Sequence, residues 1–132
     1  MTAHESPFLD IPASEHVASN TTTFAIRDRY PVNAGHTLVI PRRPVASWFD
    51  MDSRERTDAL ALIDQVCADL RASHQPDGFN IGINDGAAAG QTVFHAHVHV
   101  IPRYAGDMPD PRGGVRHVIP DRSNYLLRSE EG

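Results

Sequence analysis

The apolar residues of this chain fall into several short alternating runs and one long helical stripe. Thr21 to Asp28 is β-branched and partly alternating, which predicts a strand ending near Asp28, and Pro31 and Gly35 mark the turn after it. His36 to Pro41 is the next strand, with Leu38, Val39 and Ile40 suited to burial. Ala59, Ile63, Val66 and Leu70 then recur at helical spacing, and Leu62 and Cys67 widen the stripe. Asp52, followed three residues on by Glu55, has the pattern of a capping box at the helix start, while Pro76 and Gly78 predict an end near His74. Gly78 to Asn84 alternates Phe79, Ile81 and Ile83 with smaller residues and predicts a strand antiparallel to the next, with Asp85 and Gly86 beginning the connecting turn. Gly90 to Arg103 is that next strand, bracketed by Gly90 and Pro102.

Outside these runs the signals are weaker. Met1 to Ser6 is a loose start, Phe8, Leu9 and Ile11 form a short apolar cluster, and Ala13 to Asn20 is a candidate edge strand. Pro44 to Phe49 is a short connection carrying the single tryptophan, Trp48. Tyr104 to Pro120 is rich in Pro, Gly and charge and reads as an extended surface segment, and Asn124 to Leu127 as a small terminal element. The expected architecture is α+β: an antiparallel sheet of about five strands, covered by one main helix. It forms a single domain over 1–132, of which 104–132 is an extended C-terminal segment.

The Gly90 to Arg103 run carries the chemistry. On a strand, His95, His97 and His99 share one face, and Ala96, Val98 and Val100 turn to the other, the core side. Three imidazoles at period two resist protonation together, so the arrangement is stable only when they stay largely neutral and hydrogen-bonded. At about 3.3 Å per residue, His95 and His99 lie roughly 13 Å apart, so one ion can take neighbouring members of the row but hardly all three. A nucleophile uses the spacing better. A neutral middle imidazole attacks through one ring nitrogen while a carbonyl or carboxylate fixes the other N–H, and His99 contacts the group attacked. Phosphorus fits as electrophile, because the small residues of Gly86 to Gly90 let backbone N–H groups approach phosphate oxygens and Gln91 can donate from its side chain.

Composition narrows the field. A formal net charge of -5 argues against a nucleic-acid polymer as partner, whereas a small nucleotide needs only a few local donors. All 12 basic residues are arginine, which excludes a lysine nucleophile, a Schiff base and a Walker-type lysine on this chain. The single cysteine, Cys67, lies on the apolar helix stripe and reads as a buried small residue. Neither a secretory pattern nor an apolar run of membrane-spanning length is present, so the expectation is a cytoplasmic protein without a membrane partner.

His95-Ala96-His97-Val98-His99-Val100-Ile101 resembles the signature of the histidine triad superfamily. The wider run from Phe79 through Asp107 is similar to its dinucleoside polyphosphate hydrolase branch, and the similarity extends to Thr22 to Phe49. The resemblance implies a homodimer joining two sheets, and hydrolysis or nucleotidyl transfer at the α-phosphorus of substrates such as diadenosine polyphosphates through a nucleotidyl-histidine. It implies His97 as nucleophile, His99 beside the bridging or leaving oxygen, and His95 and His36 as orienting groups. Asp28 would bind the ribose hydroxyls, Asn84, Gly90 and Gln91 the phosphates, and Phe8 and Ile11 the base. No metal is required at the reacting atoms, and Mg²⁺ is compatible with a polyphosphate substrate. Asn84 reads equally as a turn cap, and Arg112 and Arg116 as solvated residues or as contacts to a polyphosphate tail or partner subunit. His117 has no assigned role. The alternatives are nucleoside phosphoramidase activity, metal-dependent hydrolysis, and a nucleotide-binding regulatory protein without turnover.

Overall fold

The structure, a computed structural model, describes residues 6–127, so most of the expected loose start and the acidic end lie outside the described residues. Five strands form one antiparallel sheet: β1 (Ala18–Ser19), β2 (Thr23–Arg27), β3 (Thr37–Pro41), β4 (Gly78–Gly82) and β5 (Val98–Arg103), in the order β1-β2-β3-β5-β4. One helix, α1 (Ser53–Ser73), packs on it. The expected α+β architecture and the antiparallel pairing of β4 with β5 are both present.

Helix α1 begins where the sequence predicts. Asp52 accepts from the Glu55 amide at 2.8 Å and Glu55 accepts from the Asp52 amide at 2.9 Å, a reciprocal cap that satisfies amides with no partner in the first turn. Arg43 pairs with the buried Glu55 carboxylate at 2.7 Å. The stripe Ala59, Leu62, Ile63, Val66, Cys67 and Leu70 is buried against Ala25, Val39, Val98 and Val100 of the sheet. Cys67 is buried there, and desolvation raises its thiol pKa.

The other sheet face carries a smaller cluster of Phe24, Ile26, Leu38 and Ile40, covered in part by Phe8 from the 3₁₀ turn Pro7–Asp10. Where that cover stops, a cavity opens. Gly35, at φ +90, takes the chain from β2 into β3, and a Cβ there would come within 2.8 Å of Leu70 Cδ2. Only glycine fits both the conformation and this approach, and His36 follows directly.

One strand is shorter than expected. The Gly90 to Arg103 run is extended and paired only from Val98, because β3 offers its partners through Val39↔Val98, Leu38↔His99 and Thr37↔Val100. Upstream of Val98 the chain bends, and the Ala96 amide donates to the Val45 carbonyl instead of joining the ladder. The assignment of faces survives: Ala96, Val98 and Val100 enter the helix-side core. Beyond β5, 3₁₀ turns at Gly114–Val118, Pro120–Arg122 and Tyr125–Leu127 replace the extended segment, and the first contacts β4. There Arg112 pairs with Asp110 at 2.9 Å, and Arg116 donates to the carbonyls of Ser123 and Arg122.

Candidate active site

Three imidazoles line the opening and a fourth, His95, stands behind it, and the partners of each fix its tautomer. His95 is wholly buried; its Nε2–H donates to the Pro41 carbonyl at 2.7 Å, which leaves Nδ1 to accept from the Ser6 hydroxyl at 2.7 Å. The His97 Nδ1–H donates to the His95 carbonyl at 2.7 Å, so Nε2 carries a free lone pair. His36 accepts from the Val32 amide at Nδ1, 3.0 Å, which places its proton on Nε2; that N–H donates to His99 Nδ1 at 3.0 Å. His99 in turn keeps its own proton on Nε2. The outcome is one ring with a bare nitrogen, His97, beside one with a free N–H, His99, their centroids 5.0 Å apart.

Burial lowers the pKa of all four rings below the usual histidine value. In His97 the carbonyl bond to His95 and the charge of Asp28 oppose that shift without cancelling it. His99 falls furthest, to about 4, because burial is joined by repulsion from His97 and His36. The row is thus neutral at physiological pH.

The cavity has a volume of about 550 Å³, within the range of small-molecule sites. Phe8 packs edge-on to His97 with centroids 5.1 Å apart, and with Ile11, Ile26 and Leu38 forms its apolar end. Asp28, Asn84, His36, His97 and His99 line its polar part. Asp28 accepts from the Tyr30 amide at 2.8 Å through Oδ1, while Oδ2 lies 3.5 Å from His36 Nε2. All ten residues singled out in the sequence are therefore in or beside one site, with His95 behind it.

Gln91 departs from expectation. Both directions of its amide are occupied: Nε2 donates to the carbonyls of Ala46 (2.7 Å) and Val93 (3.1 Å), and Oε1 accepts from the Gly86 amide. The amides of Gly90 and Gln91 likewise donate to Ala87 and Gly86. Gln91 thus braces the loop, whereas Thr92 and Val93, whose N–H groups find no acceptor among the described residues, line the cavity. Asp85 anchors the same loop through the Ser47 hydroxyl and the Trp48 amide. Ser6 was not singled out, because nothing local marks a serine whose partner lies 89 residues away.

Asp28, His36 and His99 offer ligand atoms all within 4.8 Å of one another, a potential metal-coordinating set drawn from three places along the chain rather than from the histidine row. Its hydrogen bonding opposes an ion, since His36 turns a proton toward the shared space and would forfeit the Val32 bond on changing tautomer.

A pocket with an apolar end, a carboxylate and neutral imidazoles, set on the open face of an antiparallel sheet, defines a histidine-centred small-ligand site. Residues 12–106 match the HIT domain model. The chain is 37% identical over 91 residues to a HIT-like protein of Mycoplasma genitalium, covering 69% of this chain and 64% of the relative. It is 35% identical over 107 residues to the AP-4-A phosphorylase of Mycobacterium tuberculosis, covering 76% and 55%. The match thus spans less than two thirds of either relative's length. A crystal structure of a Zn-bound histidine triad family protein from Mycobacterium smegmatis superposes with a TM-score of 0.72 at 34% identity, covering 83% of this chain and 82% of that one. The chain belongs to the HIT family. Among the described residues, no helix is long and apolar enough to cross a membrane.

Proposed function

We propose that this protein is a nucleotide hydrolase acting at the α-phosphorus of dinucleoside polyphosphates through a covalent nucleotidyl-histidine. The observation that carries the reading is the His97 tautomer: Nδ1–H held by the His95 carbonyl, Nε2 bare and next to the His99 N–H. The base lies against Phe8 and Ile11, the ribose hydroxyls donate to Asp28, and the amides of Thr92 and Val93 hold the non-bridging oxygens.

In the first step the His97 Nε2 lone pair forms a P–N bond and the P–O bond to the rest of the polyphosphate breaks, its electron pair leaving with the oxygen. His99 steadies that oxygen through its Nε2–H. In the second step water forms the new P–O bond, the P–N pair returns to Nε2, and one water proton passes through the product phosphate to solvent. Two displacements imply retained configuration at phosphorus.

A polyphosphate leaves as a stable anion and needs only a hydrogen bond, whereas the amine of a phosphoramidate must leave protonated. His99, neutral and with a pKa pushed down to about 4, suits the first leaving group better. The similarity to the AP-4-A phosphorylase supports the same choice. By family resemblance the working unit is a homodimer.

The test is brief exposure to dinucleotide carrying radiolabel at the α-phosphorus, followed by denaturation. Wild-type protein should retain base-stable, acid-labile label, and His97→Ala should retain none and turn over nothing while melting as a folded protein. Normal turnover in His97→Ala overturns the assignment.

A further inference from the structure

Of the turn between β2 and β3, residues 31–35, only Val32 lines the catalytic cavity. Its amide donates to His36 Nδ1 at 3.0 Å, and His36 Nε2 lies 3.0 Å from His99 Nδ1. Two tautomer patterns satisfy the His36–His99 contact. In one, His36 donates through Nε2–H and His99 carries its proton on Nε2, toward the cavity. In the other, His99 donates through Nδ1–H, its Nε2 is bare, and the His36 proton sits on Nδ1. The second pattern has no N–H to offer a departing oxygen. Asp28 Oδ2, 3.5 Å from His36 Nε2, favours the first pattern weakly. The Val32 amide forbids the second, because two N–H groups would then face each other.

Packing alone does not fix that amide, since Val32 is 67% exposed. Among the described residues, two groups of the turn hydrogen-bond outside their own hairpin. Asn33 Nδ2 donates to the Pro102 carbonyl at 3.0 Å and to Asp107 Oδ2 at 2.8 Å, and the Ala34 carbonyl accepts from the Tyr104 hydroxyl at 3.1 Å. The Asn33 carbonyl also accepts from the His36 amide at 3.1 Å, so one residue ties His36 to the far end of β5. Asp107 is a firm post for it. Arg103 donates to both of its oxygens at 2.7 Å, and the Tyr104 amide donates to Oδ2 at 3.0 Å. Arg103 Nη1 continues to Asn80 Oδ1 on β4 at 2.5 Å. A carboxylate gripped at both oxygens by one guanidinium is an acceptor of set position, which a neutral turn can hang from.

We propose that Asn33 and Asp107 form a positioning unit that sets the tautomer of His99 through the Val32 amide and His36. The inference rests on the function proposed above, which gives the His99 Nε2–H its task at the departing oxygen. Neither Asn33 nor Asp107 lines the catalytic cavity. Without the Asn33 side-chain amide the turn is released, the Val32 N–H leaves His36 Nδ1, and water accepts a proton there instead. The two tautomer patterns then both populate, and the His99 ring loses its fixed orientation. The defect is small where the leaving oxygen needs no help and grows with the basicity of that oxygen.

The test reads the tautomer directly, by nitrogen NMR of protein carrying isotope-labelled histidine, in which a bare ring nitrogen resonates apart from a protonated one. Wild-type protein at neutral pH should show His36 and His99 protonated on Nε2 alone. Asn33→Ala, and the near-isosteric Asn33→Asp that sets a carboxylate against Asp107, should each show a new Nδ1-protonated population of His99. Rates on aryl esters of AMP give the second readout. For both variants kcat/KM should stay within about twofold of wild type on the dinitrophenyl ester and fall about threefold to tenfold on the phenyl ester. Thr22→Val, which removes a hydrogen bond to Asp58 beside the opposite end of β2, controls for lost stability and should alter neither readout. If the His99 nitrogens of both Asn33 variants match wild type, the assignment is wrong. A loss of equal size on both esters overturns it as well. Should wild-type protein cleave no ester, the hydrolase reading fails, while the spectra still decide whether Asn33 sets the tautomer.

Discussion

Ser6→Ala tests whether the catalytic row is held from behind. The Ser6 side chain is 2% exposed; its Oγ donates to His95 Nδ1 at 2.7 Å and accepts from the Phe8 amide at 3.2 Å. Removing it leaves an acceptor and a donor unpaired in a site that water does not reach, which costs about 1–3 kcal/mol. A central value of about 2 kcal/mol lowers Tm by about 6–10 °C in a domain of this size. The catalytic effect travels by two contacts: His95 presents the carbonyl that fixes His97, and Phe8 packs on the His97 ring. Losing about 1 kcal/mol of that positioning reduces kcat/KM roughly fivefold, far less than His97→Ala. Circular dichroism melts and steady-state kinetics measure both effects. Ser14→Ala, at an exposed serine in a neighbouring turn, is the control and should stay within about 0.5 kcal/mol of wild type. A Ser6→Ala melt indistinguishable from this control refutes the reasoning.

Two further predictions follow from the same geometry. Because burial holds the four imidazoles below the unfolded value of about 6.5, their contribution to stability is complete above that pH. It is lost as pH falls, with the His99 share disappearing through about pH 4, so the urea midpoint should drop steadily from pH 6.5 to 4; a midpoint that rises over this range contradicts the assignment. Gly35→Ala forces a Cβ into Leu70 at 2.8 Å and His74 at 3.1 Å with φ at +90, and should destabilise by about 2 kcal/mol or more in denaturant unfolding, a wild-type midpoint being the contrary result.

What the sequence made legible was whatever is decided locally. The capping box and the α1 stripe depend on residues three or four apart, and both stand as expected. Period two placed Ala96, Val98 and Val100 on the core side even though β5 begins only at Val98. The start of β5 was not legible, because it depends on tertiary contacts: β3 continues to Pro41, but beyond Val39 it pairs only with β2, and the Pro41 carbonyl is taken by the His95 ring. The bracing contacts of Gln91 were not legible for a related reason. A glutamine beside glycines looks available to a ligand until the loop closes and its amide becomes the brace. The turn at Gly114–Val118 carries no apolar period, so its return to β4 is a matter of tertiary contact alone.

The choice of partner for His97 bears on turnover. A carboxylate bonded to Nδ1 would raise the pKa of the ring and stabilise the positively charged phospho-imidazolium, deepening the intermediate and slowing its hydrolysis. A neutral carbonyl fixes orientation equally well without adding a charge, and the Asp28 carboxylate is placed against His36 instead. In the proposed mechanism this arrangement would leave the covalent state high in energy relative to its hydrolysis products. The same logic explains the contacts of the buried His95 ring with the Ser6 hydroxyl and the Pro41 carbonyl, and of His99 with the His36 N–H: each ring in the row is held by a neutral dipole, so orientation is obtained without drawing protons into the site.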